Sequence, residues 1–273
     1  MIKRILSTLI ILAVLTLSIY FGGARGFSAL ILILALLAAY EACQLEKKCG
    51  LKPRFWLVAL ILCAAFASRF FMGTPIGCFS AALCSPQILL AGFLIAALKS
   101  PYSDYPSKTL LPEYITTVVF GAFVLCFSRL AQIDLKIAVW AAFVIKFSDI
   151  GGYLFGCGFG RNKIAPTISP KKSWEGLMGG IFLSVAGGMA IAHYLIPESF
   201  KDAPMPLVGL VCAGIAVVAL LSDLVESALK RKAGVKDSGK TLPGIGGALD
   251  LADSMILAAP VMAAVLYGFC GLC

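Results

Sequence analysis

Long apolar runs alternate with short polar interruptions along the whole chain. Nine runs stand out, at about residues 5–22, 27–45, 55–72, 80–98, 112–130, 135–157, 176–196, 206–229 and 249–270. Each is close to the roughly 20 residues that an α-helix needs to cross a bilayer core. Helices are the expected form, because an open strand would leave its backbone N–H and C=O groups unpaired in lipid. The pattern predicts an all-α polytopic integral membrane protein with about nine transmembrane helices. The opening MIKRILSTLIILAVLTLSIYFGG resembles a signal peptide in outline. Its apolar core is long for one and no small-residue cleavage site follows, so it is read as the first crossing.

Composition agrees. Of 273 residues, 60% are hydrophobic and 14% charged, whereas a soluble domain carries roughly 25% charged residues. The net charge of +9 fits basic loops facing anionic headgroups, with no nucleic-acid partner. If the N-terminus is cytoplasmic, nine crossings place 17 of the 23 Lys and Arg residues inside and 5 outside, with Lys146 within a run. This asymmetry predicts a multi-pass cell-membrane protein whose basic loops, 160–173 and 232–246 among them, face the cytoplasm.

Chemistry is distributed unevenly. Residues 1–134 read as apolar helices with short loops, and residues 135–273 as the region carrying the chemistry, within one membrane domain. From residue 146 onward carboxylates enter or border the apolar runs: Asp149, Glu175, Asp223, Glu226, Asp237, Asp250 and Asp253. Carboxylates there are costly and usually face a polar cavity with a partner. The ten cysteines lie mostly within apolar runs (Cys63, Cys126, Cys212), where Cys behaves as a small hydrophobe. The single histidine, His193, and the terminal Cys270/Cys273 pair do not make a zinc site.

Residues 234–241, GVKDSGKT, match the G-x-x-x-x-G-K-[ST] pattern of nucleotide-phosphate loops. That loop works when a strand delivers a Gly-rich turn to a helix N-terminus. Here a long apolar helix precedes it, and Leu242-Pro243-Gly244 disfavours a helix starting at Thr241. The pattern is therefore read as a coincidence. The stretch does hold a charge constellation. Asp223, Glu226, Ser227 and Lys230 share one helix face by i, i+3, i+4, i+7 spacing. Arg231, Lys232, Lys236, Asp237 and Lys240 follow. After a Gly-rich turn, Asp250 and Asp253 fall at i, i+3 in the first turns of the last helix. Carboxylates from two helix ends can hold a divalent cation through oxygen, and the cations beside them can hold phosphates that it bridges. A favourable charge at a helix N-terminus also explains one of the last two aspartates.

Ser227 to Asp253, SALKRKAGVKDSGKTLPGIGGALDLAD, resembles the signature of the phosphatidate cytidylyltransferase family, S-x-x-K-R-x-x-x-x-K-D followed by P-G-H-G-G-x-x-D-R-x-D. SDIGGYLFGCGFGRNKIAPTISPKKSWEGLMGG, from Ser148, is similar to the family's D-x-x-A-Y…G…G…ISPKKTWEG…GG stretch. Ile245 stands in place of the signature His and Leu251 in place of its Arg, which puts any role for that imidazole aside and leaves the carboxylates untouched. The resemblance implies transfer of a cytidylyl group from CTP to phosphatidate. It implies Mg²⁺, with a second cation left open, held by Asp223, Asp250 and Asp253. Lys230, Arg231, Lys236 and Asp237 join Asp223 and Asp250 as catalytic candidates. Ser169, Lys171, Lys172, Glu175, Ser227, Gly246 and Gly247 become candidates for substrate binding. The glycine pairs Gly156/Gly160 and Gly176/Gly180 read as close helix packing. A homodimer is left open. Two other functions compete: a CTP-dependent lipid-alcohol kinase, and a transporter using Lys146 and Asp149 as an intramembrane pair.

Overall fold

The computed structural model describes residues 2–68, 106–201, 203–242, 244 and 246–269. Among the described residues, seven helical stretches carry the fold: α1 Ile2–Lys48, α2 Phe55–Ser68, α3 Leu111–Ile133, α4 Leu135–Phe159, α5 Trp174–Ala190, α6 Met205–Lys232 and α7 Ala248–Phe269. Six helices among the described residues are long and apolar enough to cross a membrane.

The expected run boundaries hold within a few residues for α3 to α7. The first two runs form two helices within α1, separated by a kink at Gly23 (φ 54°, ψ −135°). A side chain at Gly26 would collide with the Ser18 carbonyl, so the chain doubles back there. Gly23 takes the left-handed φ that L side chains avoid. The third run yields only the 14-residue α2 within the described residues, and the run at 80–98 lies outside them. Within the 160–173 loop, Lys163–Ala165 (β1) and Ser169–Ser173 (β2) pair as a small antiparallel hairpin. Helices are forced only inside lipid, and the hairpin lies outside the apolar runs.

The chain forms two compact units, one comprising Met1–Arg129 with Lys232–Ala252, the other Leu130–Arg231 with Asp253–Cys273. In the first, Phe27, Phe123 and Phe127 stack edge to face in the core, with ring centroids 6.1 and 5.5 Å apart. The Arg54 guanidinium grips the buried Glu113 carboxylate through two bonds of 2.8 and 2.9 Å. Thr116 donates to buried Glu46 at 2.9 Å.

In the second unit α4 and α5 cross at glycines. An added Cβ at Gly176 or Gly180 would come within 2.9 Å of the Gly152 or Ser148 carbonyl, and one at Gly151 would strike the Gly179 carbonyl. Without side chains the two backbones touch. Trp140 Nε1 donates to the Gly188 carbonyl (2.8 Å) and Ser184 Oγ to that of Val144 (2.9 Å), so the same crossing satisfies its buried polar atoms. Close packing is thus what Gly176/Gly180 provide. Gly156 belongs to the same crossing, its Cα lying 3.3 Å from a Cβ added at Gly176, whereas Gly160 leaves room for the Ser173 hydroxyl, which caps α5 by accepting from Gly176 N at 3.1 Å.

Candidate active site

The second unit gathers acid. On α6, Asp223 and Glu226 are one turn apart, and α7 brings Asp253 to them. Carboxylate oxygens of these three lie within 4.8 Å of one another. The predicted shared face of α6 is real: Ser227 Oγ donates to Asp223 Oδ1 at 3.3 Å, and Lys230 Nζ pairs with Glu226 at 2.5 Å. Glu226 is buried, so this ion pair compensates a charge that lipid and protein would otherwise not tolerate. Ser222 locks the two helices together. Its hydroxyl donates to the Asp253 carbonyl and accepts from Leu257 N at 3.3 Å.

Lys172 closes the cluster from β2. Its Nζ lies 2.5 Å from Asp223 Oδ2. Burial alone would push the ammonium pKa down; Asp223 first, then Asp149 and Asp253, outweigh burial and hold it above its ordinary value. Lys172 is therefore charged throughout the neutral range. Beside it runs a cleft lined by Ser148, Asp149, Lys172, Ser173 and the glycine-rich α4/α5 crossing. The missing side chains of Gly152, Gly176 and Gly180 open this space, so the packing motif and the cleft share one cause.

The hairpin is tied down at both ends. At its base, Asn162 donates to the Glu175 carboxylate through its backbone N (3.1 Å) and Nδ2 (2.9 Å), and Trp174 N donates to the Asn162 carbonyl at 3.0 Å. At its turn, Arg231 Nε donates to the Ile168 carbonyl at 3.1 Å. Glu175 and Arg231 thus hold the element that carries Lys172. Ser169 is half-buried on β2 and Lys171 exposed. Lys146 and Asp149 form the intramembrane pair noted in the sequence, at 3.0 Å, and both bond to Ser254 Oγ at 3.0 and 2.8 Å.

The remaining candidates fall in the first unit. Asp250 accepts from Gly247 N (2.7 Å) and Ser238 N (3.1 Å) at the start of α7. Gly246, at φ 126°, leaves room for that carboxylate, which an added Cβ would meet at 2.6 Å. Leu242 and Gly246 exchange both backbone hydrogen bonds, at 2.9 and 3.0 Å. Lys236, Asp237 and Lys240 are exposed. No helix opens at Thr241, as the sequence reading expects; its hydroxyl accepts from Ala248 N at 3.0 Å and donates to Glu41.

A sequence model of the cytidylyltransferase family matches residues 2–269. The chain belongs to the cytidylyltransferase family. Among curated members, it is 34% identical to the phosphatidate cytidylyltransferase of Helicobacter pylori over 209 residues, 76% of this chain and 71% of that one. It is 42% identical to the Pseudomonas aeruginosa phosphatidate cytidylyltransferase over 136 residues, half of this chain and 46% of that protein. With that of Haemophilus influenzae it shares 40% identity over 126 residues, 45% of this chain and 41% of the relative. The latter two matches span less than half the relative's length.

Two buried carboxylates of this cytidylyltransferase-family chain, one in each unit, had no role assigned from the sequence. Glu226 was legible only as part of a charged helix face, although its i, i+3 spacing to Asp223 puts it at the cluster. Glu41, near the end of α1, reads as one more charge at a membrane edge, and nothing local signals its partners some 200 residues away.

Proposed function

We propose that the protein transfers the cytidylyl group of CTP to phosphatidate, giving CDP-diacylglycerol and pyrophosphate. The observation that carries this reading is the Asp223–Glu226–Asp253 cluster with its lysine counter-ion, in a chain of the cytidylyltransferase family. A lipid-phosphate oxygen attacks the α-phosphorus of CTP, the new P–O bond forms, and the bond to the pyrophosphate oxygen breaks. The nucleophile is already ionised, so little general-base work is required. Positioning and charge neutralisation carry the rate.

Carboxylate oxygens grouped this closely suit a hard divalent cation. Asp223, Glu226 and Asp253 would hold Mg²⁺, and Asp250, three residues before Asp253, completes the carboxylate set read from the sequence. Such an ion would supply charge neutralisation to the triphosphate. Lys172 keeps one cation in the cluster and offers it to phosphate oxygens. Lys171, Lys230, Arg231 and Lys236 supply further positive charge, and Ser169, Ser227 and the backbone at Gly246 and Gly247 line the substrate. Glu175 and Arg231 keep the hairpin, and so Lys172, in place. In this reading nine crossings start from a cytoplasmic N-terminus, and the site faces the cytoplasm, where CTP is found.

The test is substrate-dependent turnover by the purified protein. CTP consumption and pyrophosphate release should both require phosphatidate, while ATP stays intact. ATP hydrolysis without lipid, abolished by Lys240→Ala, would restore the phosphate-loop reading and refute this one.

A further inference from the structure

Glu41 is 3% exposed, yet it belongs to no site described so far. Its Oε1 accepts from Thr241 Oγ1 at 2.7 Å. Its Oε2 accepts from Ser238 Oγ and from Leu249 N, each at 2.9 Å. One carboxylate from α1 thus binds the segment before α7 at two side chains and caps the helix at a third point. A buried carboxylate is tolerated only when its lone pairs are met by donors, and three convergent donors meet them here. The Leu249 N–H is among those that the start of α7 cannot bond internally, and a negative charge is favoured there.

The segment is shaped around this residue. An added Cβ at Gly239 or Gly247 would collide with the Glu41 carboxylate, so both positions must lack a side chain for the carboxylate to enter. Ser238 links Glu41 to Asp250: its hydroxyl donates to Glu41 while its N–H donates to the Asp250 carboxylate. Gly247 N donates to the same Asp250 oxygen, Oδ2, at 2.7 Å. The Ser and Thr of the phosphate-loop look-alike are thereby committed to a carboxylate, the opposite of an anion site.

We infer that Glu41 is a positioning residue for the proposed cytidylyl transfer: it fixes Ser238, Thr241 and the N-terminus of α7, and through them the orientation of Asp250. It touches neither phosphates nor reacting atoms, and it acts through the segment it holds. The inference rests on the proposed reaction for its kinetic consequence, but its structural half stands apart from that reaction.

Two measurements on full-length protein in detergent separate the two. Amide hydrogen exchange at residues 238–242 and 246–249 should rise in Glu41→Ala whatever reaction the chain performs. Turnover of CTP with phosphatidate should fall about 100-fold in folded Glu41→Ala, the scale of an ångström-level misplacement, and less in Glu41→Gln, which keeps the length and one acceptor. Adding Thr241→Val to Glu41→Gln should cost little more than Glu41→Gln alone, since both act through one contact. Unchanged exchange, or turnover within threefold of wild type in folded Glu41→Ala, would overturn the inference. If Glu41→Ala does not fold, full additivity of Glu41→Gln and Thr241→Val would overturn it. Wild-type protein that leaves CTP intact with phosphatidate would refute the reaction alone and leave the exchange result standing.

Discussion

Asp223 meets Lys172 at one carboxylate oxygen and Ser227 at the other. Two explanations for such an aspartate differ by orders of magnitude in one assay. If it holds a cation on the transferring phosphate, its loss costs several kcal/mol of barrier, about three decades or more in rate. If it is only a charge near a helix end, its loss costs about 0.3–1 kcal/mol of stability and leaves the rate nearly intact. Asp223→Asn and Asp253→Asn are isosteric, so both proteins should fold and both should lose at least about a thousandfold in turnover at saturating Mg²⁺. Retention of more than about a tenth of the activity, under 1.4 kcal/mol of barrier, would remove that residue from the metal site. Asp250→Asn is expected to follow them, although its bonds to Gly247 and Ser238 give it a capping role as well. A stability assay alongside turnover separates the two contributions. Ile245→His should alter activity little, since the site works without that imidazole.

At the scale of elements, the α4/α5 crossing and the hairpin set the cleft. Gly151→Ala places a methyl against the Gly179 backbone, which cannot rotate away. Overpacking of this kind costs about 1–3 kcal/mol, so a lower melting temperature in detergent and reduced turnover are expected. Gly158→Ala is the control: nothing lies within 4 Å of the added methyl, and replacing a helical Gly should be neutral or slightly stabilising. Equal melting temperatures for the two variants would show that the crossing is looser than the backbone contact implies. The helices were legible because a run of about 20 apolar residues permits little else in lipid. The Asp223-to-Lys230 face was legible from 3.6-residue periodicity alone. The hairpin was not: β1 spans three residues and β2 spans five, one of them Pro170, too short and polar for a period-2 signal. What makes it a strand pair is its anchoring by Glu175, Asn162 and Arg231, and tertiary contacts leave no mark in local pattern. Glu41 was hidden for the same reason, its partners being supplied by the far end of the chain.

For the whole molecule, the distribution of Lys and Arg makes a claim about sidedness. The 160–173 segment and the stretch from Lys232 to Leu242 should face the compartment that holds CTP. A cysteine introduced at the exposed hairpin turn, Thr167→Cys, should react with an impermeant thiol reagent only from the cytoplasmic face of sealed vesicles. Labelling from the opposite face would break the link between the basic loops and the substrate.

Which bond of CTP is broken decides the reaction, and the fate of label reads it directly. Purified protein is incubated with phosphatidate, Mg²⁺ and CTP labelled at either the α- or the γ-phosphorus, and the lipid is extracted. Cytidylyl transfer predicts label in the lipid from α-labelled CTP and none from γ-labelled CTP, whose label leaves as pyrophosphate. Label in lipid from γ-labelled CTP, with a lipid alcohol or with phosphatidate as acceptor, would make the protein a kinase and contradict the assignment of its acidic cluster.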